Sequence, residues 1–132
     1  MPKTALSTGG RTFLVRGDID ARSIVVLREG VECPSLSPDG STIAFKKVVD
    51  QPYRHWIIAI LDLGIMKETV LPEQRNVDDQ VEWLDNDQIL YGLPETEQAS
   101  SAVVNTWAIH RNGLSRPRLL IPNASSPVVV RN

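Results

Sequence analysis

Histidine bases and cysteine nucleophiles are few in this sequence of 132 residues, which holds two histidines, His55 and His110, and one cysteine, Cys33. A serine-hydrolase triad needs its nucleophile on a strained elbow such as G-x-S-x-G, and the sequence contains no match to that motif. A nucleophilic cysteine needs a histidine or a positive field to hold the thiolate, and the sequence places neither beside Cys33. We therefore predict no catalytic residues, with surface or rim histidines and Cys33 as a small buried or rim thiol.

A run of acidic residues, DDQVEWLDND from Asp78 to Asp87, is the candidate for a metal site. Hard cations such as Ca²⁺ need several oxygen ligands from one tight loop, and the spacing here is not the D-x-[DN]-x-[DN]-G of an EF-hand. Asp85 to Asp87 suit a tight turn, while Asp78 and Asp79 suit a solvated connection. We expect neither a metal nor a cofactor.

The composition narrows the class of protein. Fourteen Lys and Arg against sixteen Asp and Glu give a formal charge of −2, and nucleic-acid binding usually shows as a basic excess. Hydrophobic residues make up 42% of the chain, which is typical of a folded domain. The longest apolar run, at 56–61, is far shorter than the roughly 20 residues of a membrane helix. The N-terminal segment shows no signal-peptide core, and a single cysteine excludes an internal disulfide.

Short apolar runs rich in Val, Ile and Leu, separated by Pro and Gly, favour strands over helices. Three segments of 18 residues, at 12–29, 56–73 and 106–123, align without a gap. Each has an apolar run, an Asx residue at its seventh position, and a second apolar run. Because a short carboxylate or amide bonds to backbone N–H groups two residues on, it reverses the chain, and we interpret each segment as a β-hairpin. The Asx residues are Asp18, Asp62 and Asn112.

A second repeat lies between the hairpins, as PSLSPDGSTIAF at 34–45 and VEWLDNDQILY at 81–91. In the first copy Pro-Asp-Gly makes the turn between two strands, and in the second copy Asp and Asn make it. When the repeats are aligned, Trp83 and Trp107 each stand at a position where the other copies also have apolar residues. This predicts that both tryptophans pack between sheets. The motif positions that we single out are Pro34, Ser37, Pro38, Asp39, Gly40, Ile43, Phe45, Trp83, Asp85, Ile89 and Tyr91.

Trp56 differs from the other two tryptophans, because the residues aligned with it in the other two hairpins are threonines rather than apolar residues. Tyr53, Arg54 and His55 come directly before it, at the end of a loop that joins two predicted strands. Aromatic and arginine side chains carry much of the binding energy of protein interfaces. We therefore predict Tyr53, Arg54, His55 and Trp56 as a surface contact site.

Four short antiparallel strands in each repeat of roughly 44–50 residues are the signature of a β-propeller blade. We predict an all-β fold, a partial propeller of about two and three-quarter blades. The predicted parts are a flexible N-terminal segment at 1–10, the outer hairpin of a first blade at 11–29, a second blade at 33–73, a third blade at 79–123, and the first strand of a following blade at 127–131. Propeller rings usually need four to eight blades, so this chain cannot close a standard ring alone.

The first motif resembles the repeat of TolB-like β-propellers, usually written P-x-W-S-P-D-G-x-x-I-A-F, with Leu36 where Trp is usual. The second is similar to a degenerate variant in the same families, which keeps Trp and loses the Pro-Asp-Gly turn. The resemblance covers about residue 11 onward and implies a part of a six- or seven-bladed ring. Because such repeats occur in a periplasmic envelope component among other proteins, it allows a periplasmic or extracytoplasmic location for a full-length parent.

From these features we predict a non-catalytic module that acts as a scaffold for protein–protein interaction. The expected partners are other proteins or further propeller blades, with a homo-oligomer as one arrangement, and neither nucleic acid nor a membrane span is expected. Two alternatives stay open: a propeller segment that gates a hydrolase or peptidase domain in a longer chain, and a ligand-sensing propeller.

Overall fold

The computed structural model describes residues 3–96 and 103–132. In these two ranges the chain forms eleven strands, and no helix there is long and apolar enough to cross a membrane. The strands are β1 (Lys3–Thr8), β2 (Arg11–Asp18), β3 (Ser23–Glu29), β4 (Val31–Leu36), β5 (Thr42–Val49), β6 (His55–Asp62), β7 (Lys67–Val70), β8 (Val81–Trp83), β9 (Gln88–Pro94), β10 (Val104–His110) and β11 (Arg118–Ile121).

The strands form three antiparallel sheets, with the orders β1-β2-β3, β4-β5-β6-β7 and β8-β9-β10-β11. We call them sheet 1, sheet 2 and sheet 3. The first strands of sheets 2 and 3, β4 and β8, contact each other, and β1 and β2 contact β4. Sheets stacked face to face in a series, with β4 and β8 on the inner side, are the arrangement of blades in a partial β-propeller.

The Asx residues of the repeated hairpins close three equivalent turns. The Asp18 carboxylate accepts a hydrogen bond from the Ala21 N–H at 2.9 Å. Asp62 accepts one from the Gly64 N–H at 2.8 Å, and Asn112 one from the Leu114 N–H at 2.9 Å. A side-chain oxygen that bonds to backbone N–H groups just ahead fixes the reversal between the two outer strands of each sheet.

The Pro-Asp-Gly turn between β4 and β5 is organised by one carboxylate oxygen. Asp39 Oδ1 accepts hydrogen bonds from Ser37 Oγ at 2.7 Å, and from the Ser41 N–H and Oγ at 3.0 and 2.8 Å. The Gly40 N–H closes the turn on the Ser37 carbonyl at 2.9 Å, and its φ of 75° is one that glycine adopts without strain. In sheet 3, Asp85 Oδ1 takes the same role toward the Asp87 and Gln88 N–H groups, both at 2.8 Å.

Two hydrophobic cores lie between the sheets. Because side chains alternate along a strand, sheet 2 contributes to both of them, with Ala59 on one face and Ile58 on the other. The core between sheets 1 and 2 consists of Leu14, Val31, Ile43, Phe45, Ala59 and Leu61. The core between sheets 2 and 3 consists of Ala44, Ile58, Ile60, Leu71, Val77, Val81, Trp83, Ile89, Tyr91, Leu93 and Ile109, with Trp107 packed against it.

Two boundaries differ from the sequence-based expectation. Residues 3–8, which we assigned to a flexible segment, form β1 and pair with β2 along its whole length, so sheet 1 has three strands rather than a hairpin. The sequence KTALST mixes polar and apolar residues and has no strong strand preference, so it was not predicted as a strand. Its pairing with β2 stabilises it. Residues 127–131, which we predicted as a strand, form no ladder with any described strand, although Arg131 bonds the carbonyl of Trp83 at the end of β8.

Candidate functional site

The two ends of the sheets present different surfaces. At one end lie the tight turns 37–41 and 84–87 and the Asx turns, which are joined by bonds such as that from the Leu63 N–H to the Ser41 carbonyl at 2.9 Å. At the other end lie the β5–β6 loop at 50–54 and the long connection at 71–80, where the Val77 N–H bonds the Trp56 carbonyl at 3.0 Å. We call the first end the turn face and the second the loop face.

A cleft of about 240 Å³ opens on the loop face between sheets 2 and 3. Tyr53 contributes an exposed aromatic ring to it, while Leu93 and Pro94 at the end of β9 contribute apolar surface. Arg75 and Asn76 line it from the connection between the two sheets. The Asn76 side-chain oxygen accepts a hydrogen bond from the Trp56 N–H at 2.8 Å, which fixes that connection to the start of β6. The cleft thus combines an aromatic wall, an apolar wall and polar donors.

Arg75 is held rigidly beside this cleft. Its Nε and Nη2 bond the two oxygens of Glu73, each at 2.9 Å, in a bidentate ion pair. The guanidinium also stacks over the Trp107 ring, 4.0 Å from its centroid. On the other side of the carboxylate, the buried Tyr91 hydroxyl donates to Glu73 Oε2 at 2.5 Å. A stacked, bidentate arginine loses little further side-chain entropy when a ligand binds beside it.

The protonation states of this network follow from its geometry. Burial alone would raise the pKa of Glu73, but the hydrogen bonds from Arg75 and Tyr91 outweigh it and lower the pKa below its ordinary value. Burial and the bond to Glu73 raise the pKa of Tyr91 above its usual range, so the hydroxyl stays protonated and donates. The bond to Glu73 also raises the pKa of Arg75. The site therefore keeps one carboxylate and one guanidinium near neutral pH.

The four predicted surface residues have different environments. Tyr53 lines the cleft and is exposed, as is Arg54, which pairs with Asp50 at 3.2 Å. His55 is half-buried, with its ring 4.9 Å from that of Tyr53 and Nδ1 2.7 Å from the Tyr53 carbonyl. Trp56 is half-buried rather than exposed, because its ring lies under the Lys46 ammonium. Tyr53 and Arg54 are thus exposed, and His55 and Trp56 are both half-buried beside them.

The Lys46 ammonium, on β5 of sheet 2, contacts one aromatic ring and two carboxylates. Its ammonium lies 4.4 Å from the Trp56 ring centroid, 3.0 Å from Asp78 Oδ1 and 3.6 Å from Glu32 Oε2. Burial alone would lower the pKa of Lys46, but the bond to Asp78 and the nearby negative charges outweigh it and raise the pKa. Asp78 lies in an exposed connection, as expected, with its side chain 69% exposed, and its carboxylate also pairs with the buried Lys46 ammonium.

The remaining candidates for chemistry have structural contacts. Cys33 is half-buried, and desolvation raises the pKa of its thiol, which disfavours the thiolate. His110 Nδ1 accepts a hydrogen bond from the Asn112 N–H at 3.0 Å, next to the Asx turn. Within residues 3–96 and 103–132, no three His, Cys, Asp or Glu side chains converge as metal ligands would.

The sequence analysis missed Glu73, Arg75 and Asn76. The signal that could have found them is their position in a Pro-flanked connection between two predicted blades, PEQRN at 72–76, which must cross the loop face. Nothing local indicates that Arg75 stacks on Trp107, because Arg75 lies in the connection between sheets 2 and 3 and Trp107 lies in β10, so the two meet only when the sheets pack.

Comparison with solved structures identifies the architecture. TolB from Acinetobacter baumannii is similar to this chain with a TM-score of 0.67 and 17% identity, over 89% of this chain and 29% of TolB. The β-propeller domain of the Trilobed protease from Pyrococcus furiosus gives a TM-score of 0.64 and 16% identity, over 89% of this chain and 38% of that domain. An acylaminoacyl peptidase from Pyrococcus horikoshii gives 0.61 and 16%, over 84% and 21%.

No family model and no curated relative matches the sequence. At identities this low the solved structures show the fold alone, which is all-β and that of a partial TolB-like β-propeller. The chain spans well under half the length of each of these proteins.

Proposed function

We propose that this partial β-propeller is a non-catalytic protein-interaction module that binds a partner protein through its loop face. The observation that supports the proposal is the cleft between sheets 2 and 3, which the exposed Tyr53 ring, Leu93 and Pro94 line together with the fixed Arg75. At about 240 Å³ it is large enough for one or two side chains of a bound segment and small for a metabolite pocket.

The chemistry of the cleft favours an extended, uncharged peptide segment. The positive charge of Arg75 is already neutralised by Glu73, so the cleft does not concentrate anions. An aromatic ring facing apolar surface suits a proline or aliphatic side chain. The Asn76 amide N–H₂ and the remaining Arg75 N–H groups are donors for backbone carbonyls of such a segment.

The test is selection of peptide ligands from a displayed random library on the immobilised chain, followed by titration calorimetry of the recovered peptides. We expect Tyr53→Ala to weaken binding by about tenfold or more, as for an interface hot spot. Arg54→Ala is the matched control, because Arg54 is adjacent and exposed but does not line the cleft. Ligands that bind the Tyr53→Ala variant and the parent chain equally would contradict the proposal.

A second candidate function is suggested by the peptidases among the similar structures. In this view the chain is a segment of a propeller that controls access to a hydrolase domain in a longer protein. Sequencing the reading frame on both sides of this coding sequence would test it. A hydrolase domain there would carry a nucleophile elbow such as G-x-S-x-G. The ligand-sensing alternative predicts a raised melting temperature with a small ligand. An extracytoplasmic location of a longer parent remains a prediction from the resemblance.

A further inference from the structure

Among the described strands, sheet 1 has no counterpart of the innermost strand with which the other two sheets begin. Sheets 2 and 3 start with β4 and β8, whereas sheet 1 starts with β1, which pairs with β2 as β5 pairs with β6 and β9 with β10. Among the described strands, none lies against the other edge of β1. That edge therefore presents backbone N–H and C=O groups ready for another strand.

The exposure of Leu36, at the end of β4 in sheet 2, is consistent with an unoccupied innermost position in sheet 1. Its counterpart in the repeat, Trp83, is fully buried, and the Trp83 Nε1–H donates to the Ser35 carbonyl of the neighbouring innermost strand at 2.8 Å. Leu36 is 46% exposed, and no described strand of sheet 1 occupies the corresponding innermost place beside it.

The segment 124–131 occupies the place of an innermost strand but forms no ladder with the described strands. Thr106 Oγ1 donates to the Ala124 carbonyl at 2.9 Å, and the Ser126 N–H and Oγ donate to the Asp79 carboxylate at 3.0 and 3.1 Å. At its far end, Arg131 donates to the backbone carbonyl of the last β8 residue. The segment is thus fixed beside β8, as β8 lies beside β4.

The exposure of this segment alternates as in a strand. Pro127 and Val129 are half-buried, whereas Val128 and Val130 are 74% and 86% exposed. A run of three valines has a high preference for pairing in a sheet. In the described part of the chain this segment has a place but no ladder partner, and β1 has an open edge but no inner neighbour.

The outer sheet faces are also complementary. Leu27, Leu71 and Ile121 share one position of the hairpin repeat. Leu27 packs against the core between sheets 1 and 2, and Leu71 is 1% exposed under sheet 3. Ile121 is 49% exposed, since no described sheet packs over it.

Another pair of repeat positions shows which residues would meet if the outer faces of sheet 3 and sheet 1 packed together. Arg28 of sheet 1 and Glu68 of sheet 2 form an ion pair at 3.4 Å across their interface. The corresponding positions at the open ends of the stack are Pro122 after sheet 3 and Ile24 on sheet 1. Ile24 is 63% exposed. Where the inner interface has a charged pair, the open ends carry an apolar pair that would be buried by closure.

We infer that two copies of this 132-residue chain close one six-bladed ring. The segment 127–131 of each copy pairs with β1 of the other, and the outer face of sheet 3 packs on the outer face of sheet 1. Each copy contributes three sheets, so both junctions are equivalent under a two-fold axis and no inner edge remains open. The inference is independent of what the loop face binds.

The first experiment is light scattering on a size-exclusion column with the whole chain over a range of concentrations. We expect a discrete species of twice the chain mass of 14.6 kDa. A monomer at every concentration, or a ladder of larger species without a defined dimer, would overturn the inference.

Three variants locate the interface. Ile121→Asp places a charge in the predicted junction and is expected to raise the dimer dissociation constant about tenfold or more. Leu114→Asp is its control, because Leu114 is 87% exposed in the turn before β11 and outside the junction. Val129→Pro removes a backbone donor from the pairing segment and is expected to weaken the dimer similarly.

Circular dichroism verifies that each variant is folded, and the Ile121→Asp and Leu114→Asp pair decides the matter if Val129→Pro unfolds. Weakening by Ile121→Asp with Leu114→Asp unchanged supports the ring. A dimer that keeps its dissociation constant in Ile121→Asp forms through another surface and refutes it.

Discussion

Glu73 remains ionised although its residue is only 4% exposed, because both carboxylate oxygens have donors from Arg75 and Tyr91. A buried carboxylate that lost these donors would carry the full cost of desolvation. Arg75 in turn is placed against Trp107 by the same pair of bonds. The shape of the cleft therefore depends on residues behind its surface.

Removal of the Tyr91 hydroxyl is expected to destabilise the fold. Tyr91→Phe keeps the buried ring but deletes a hydrogen bond to a charged group, which costs about 1.5–3 kcal/mol of unfolding free energy. Urea unfolding at one protein concentration measures it. Tyr53→Phe is the control, since Tyr53 is exposed and its change should stay within about 0.5 kcal/mol. Equal stabilities of the two variants would show that the Glu73–Tyr91 bond contributes nothing.

Asp39 gives the fold a dependence on acid pH. Hydrogen bonds from Ser37 and Ser41 lower the pKa of its carboxyl to about 2 in the folded chain, against about 3.9 in an unfolded one. The ionised form thus stabilises the fold above about pH 4, and that contribution is lost as the pH falls from about 4 to 2. Asp39→Asn should flatten the pH dependence of stability in this window, as followed by urea unfolding. An unchanged slope would argue against the turn network.

For individual residues, the sequence was sufficient to predict side chains that bond to nearby backbone groups. Asp18, Asp39 and Asp85 bond backbone groups within a few residues, so their turns could be inferred from neighbours in the chain. Arg75 and Trp56 could not be placed, because their partners, Trp107 and Lys46, come from other strands. Contacts of that kind exist only after the sheets have packed.

Among the elements, β1 shows how an edge strand is fixed by its neighbour rather than by its own composition. It pairs with β2 from Lys3 opposite Arg16 to Thr8 opposite Arg11. Its removal would expose the edge of β2, the strand that carries the buried Leu14. This dependence was not visible in the sequence, where β1 lacks the Val- and Ile-rich runs of the other strands.

A variant that lacks residues 3–8 is therefore expected to be less stable by about 2–4 kcal/mol, from the lost ladder hydrogen bonds. Urea unfolding gives the free energy, and hydrogen exchange gives the protection of the β2 amides, which should fall. Unchanged protection of β2 would mean that β1 is dispensable.

Gly92 couples β9 to the C-terminal segment. A Cβ at this position would lie 2.3 Å from Asp79 Oδ2 and 3.2 Å from Val104 Cγ1. Gly92→Ala is therefore expected to displace the Asp79 carboxylate, which also binds Ser126, and to cost about 1–3 kcal/mol. Faster hydrogen exchange at the Ser126 N–H is the specific readout.

The double variant Gly92→Ala with Asp79→Ala serves as the comparison. Because Asp79→Ala removes the side chain that the new methyl group would meet, the added cost of Gly92→Ala should become small. If the two costs simply add, the proposed clash is wrong.

The whole molecule is a linear stack in which each sheet depends on its neighbours. Such arrays lose stability locally when one interface is weakened. Leu14→Ala is expected to cost about 2–5 kcal/mol and to reduce hydrogen-exchange protection mainly in sheet 1, while Trp83→Ala should cost about 3–5 kcal/mol and act mainly on sheet 3. Uniform loss of protection in all three sheets with either variant would show a single cooperative unit instead.

The all-β fold, the Asx hairpins and the series of sheets followed from the sequence, because a repeat reports its period and its inward residues directly. Sheets 2 and 3 span 31–70 and 81–121, close to the blades predicted at 33–73 and 79–123. The loop face was predicted only in part, through Tyr53. Its cleft is built from a connection whose path depends on how two sheets are stacked, which no local pattern records.

The direction of the strands decides how this molecule can be tethered. Lys3 starts β1 opposite the end of β2, and Arg131 lies beside the end of β8, so both positions are at the turn face. A linker, fluorophore or sensor surface attached at either end would therefore stand on the side away from Tyr53 and its cleft. Immobilisation at Lys3, Arg131 or Lys67 presents the loop face outward, because all three positions lie at the turn face, whereas coupling through Lys47 in β5 would attach the chain by its side.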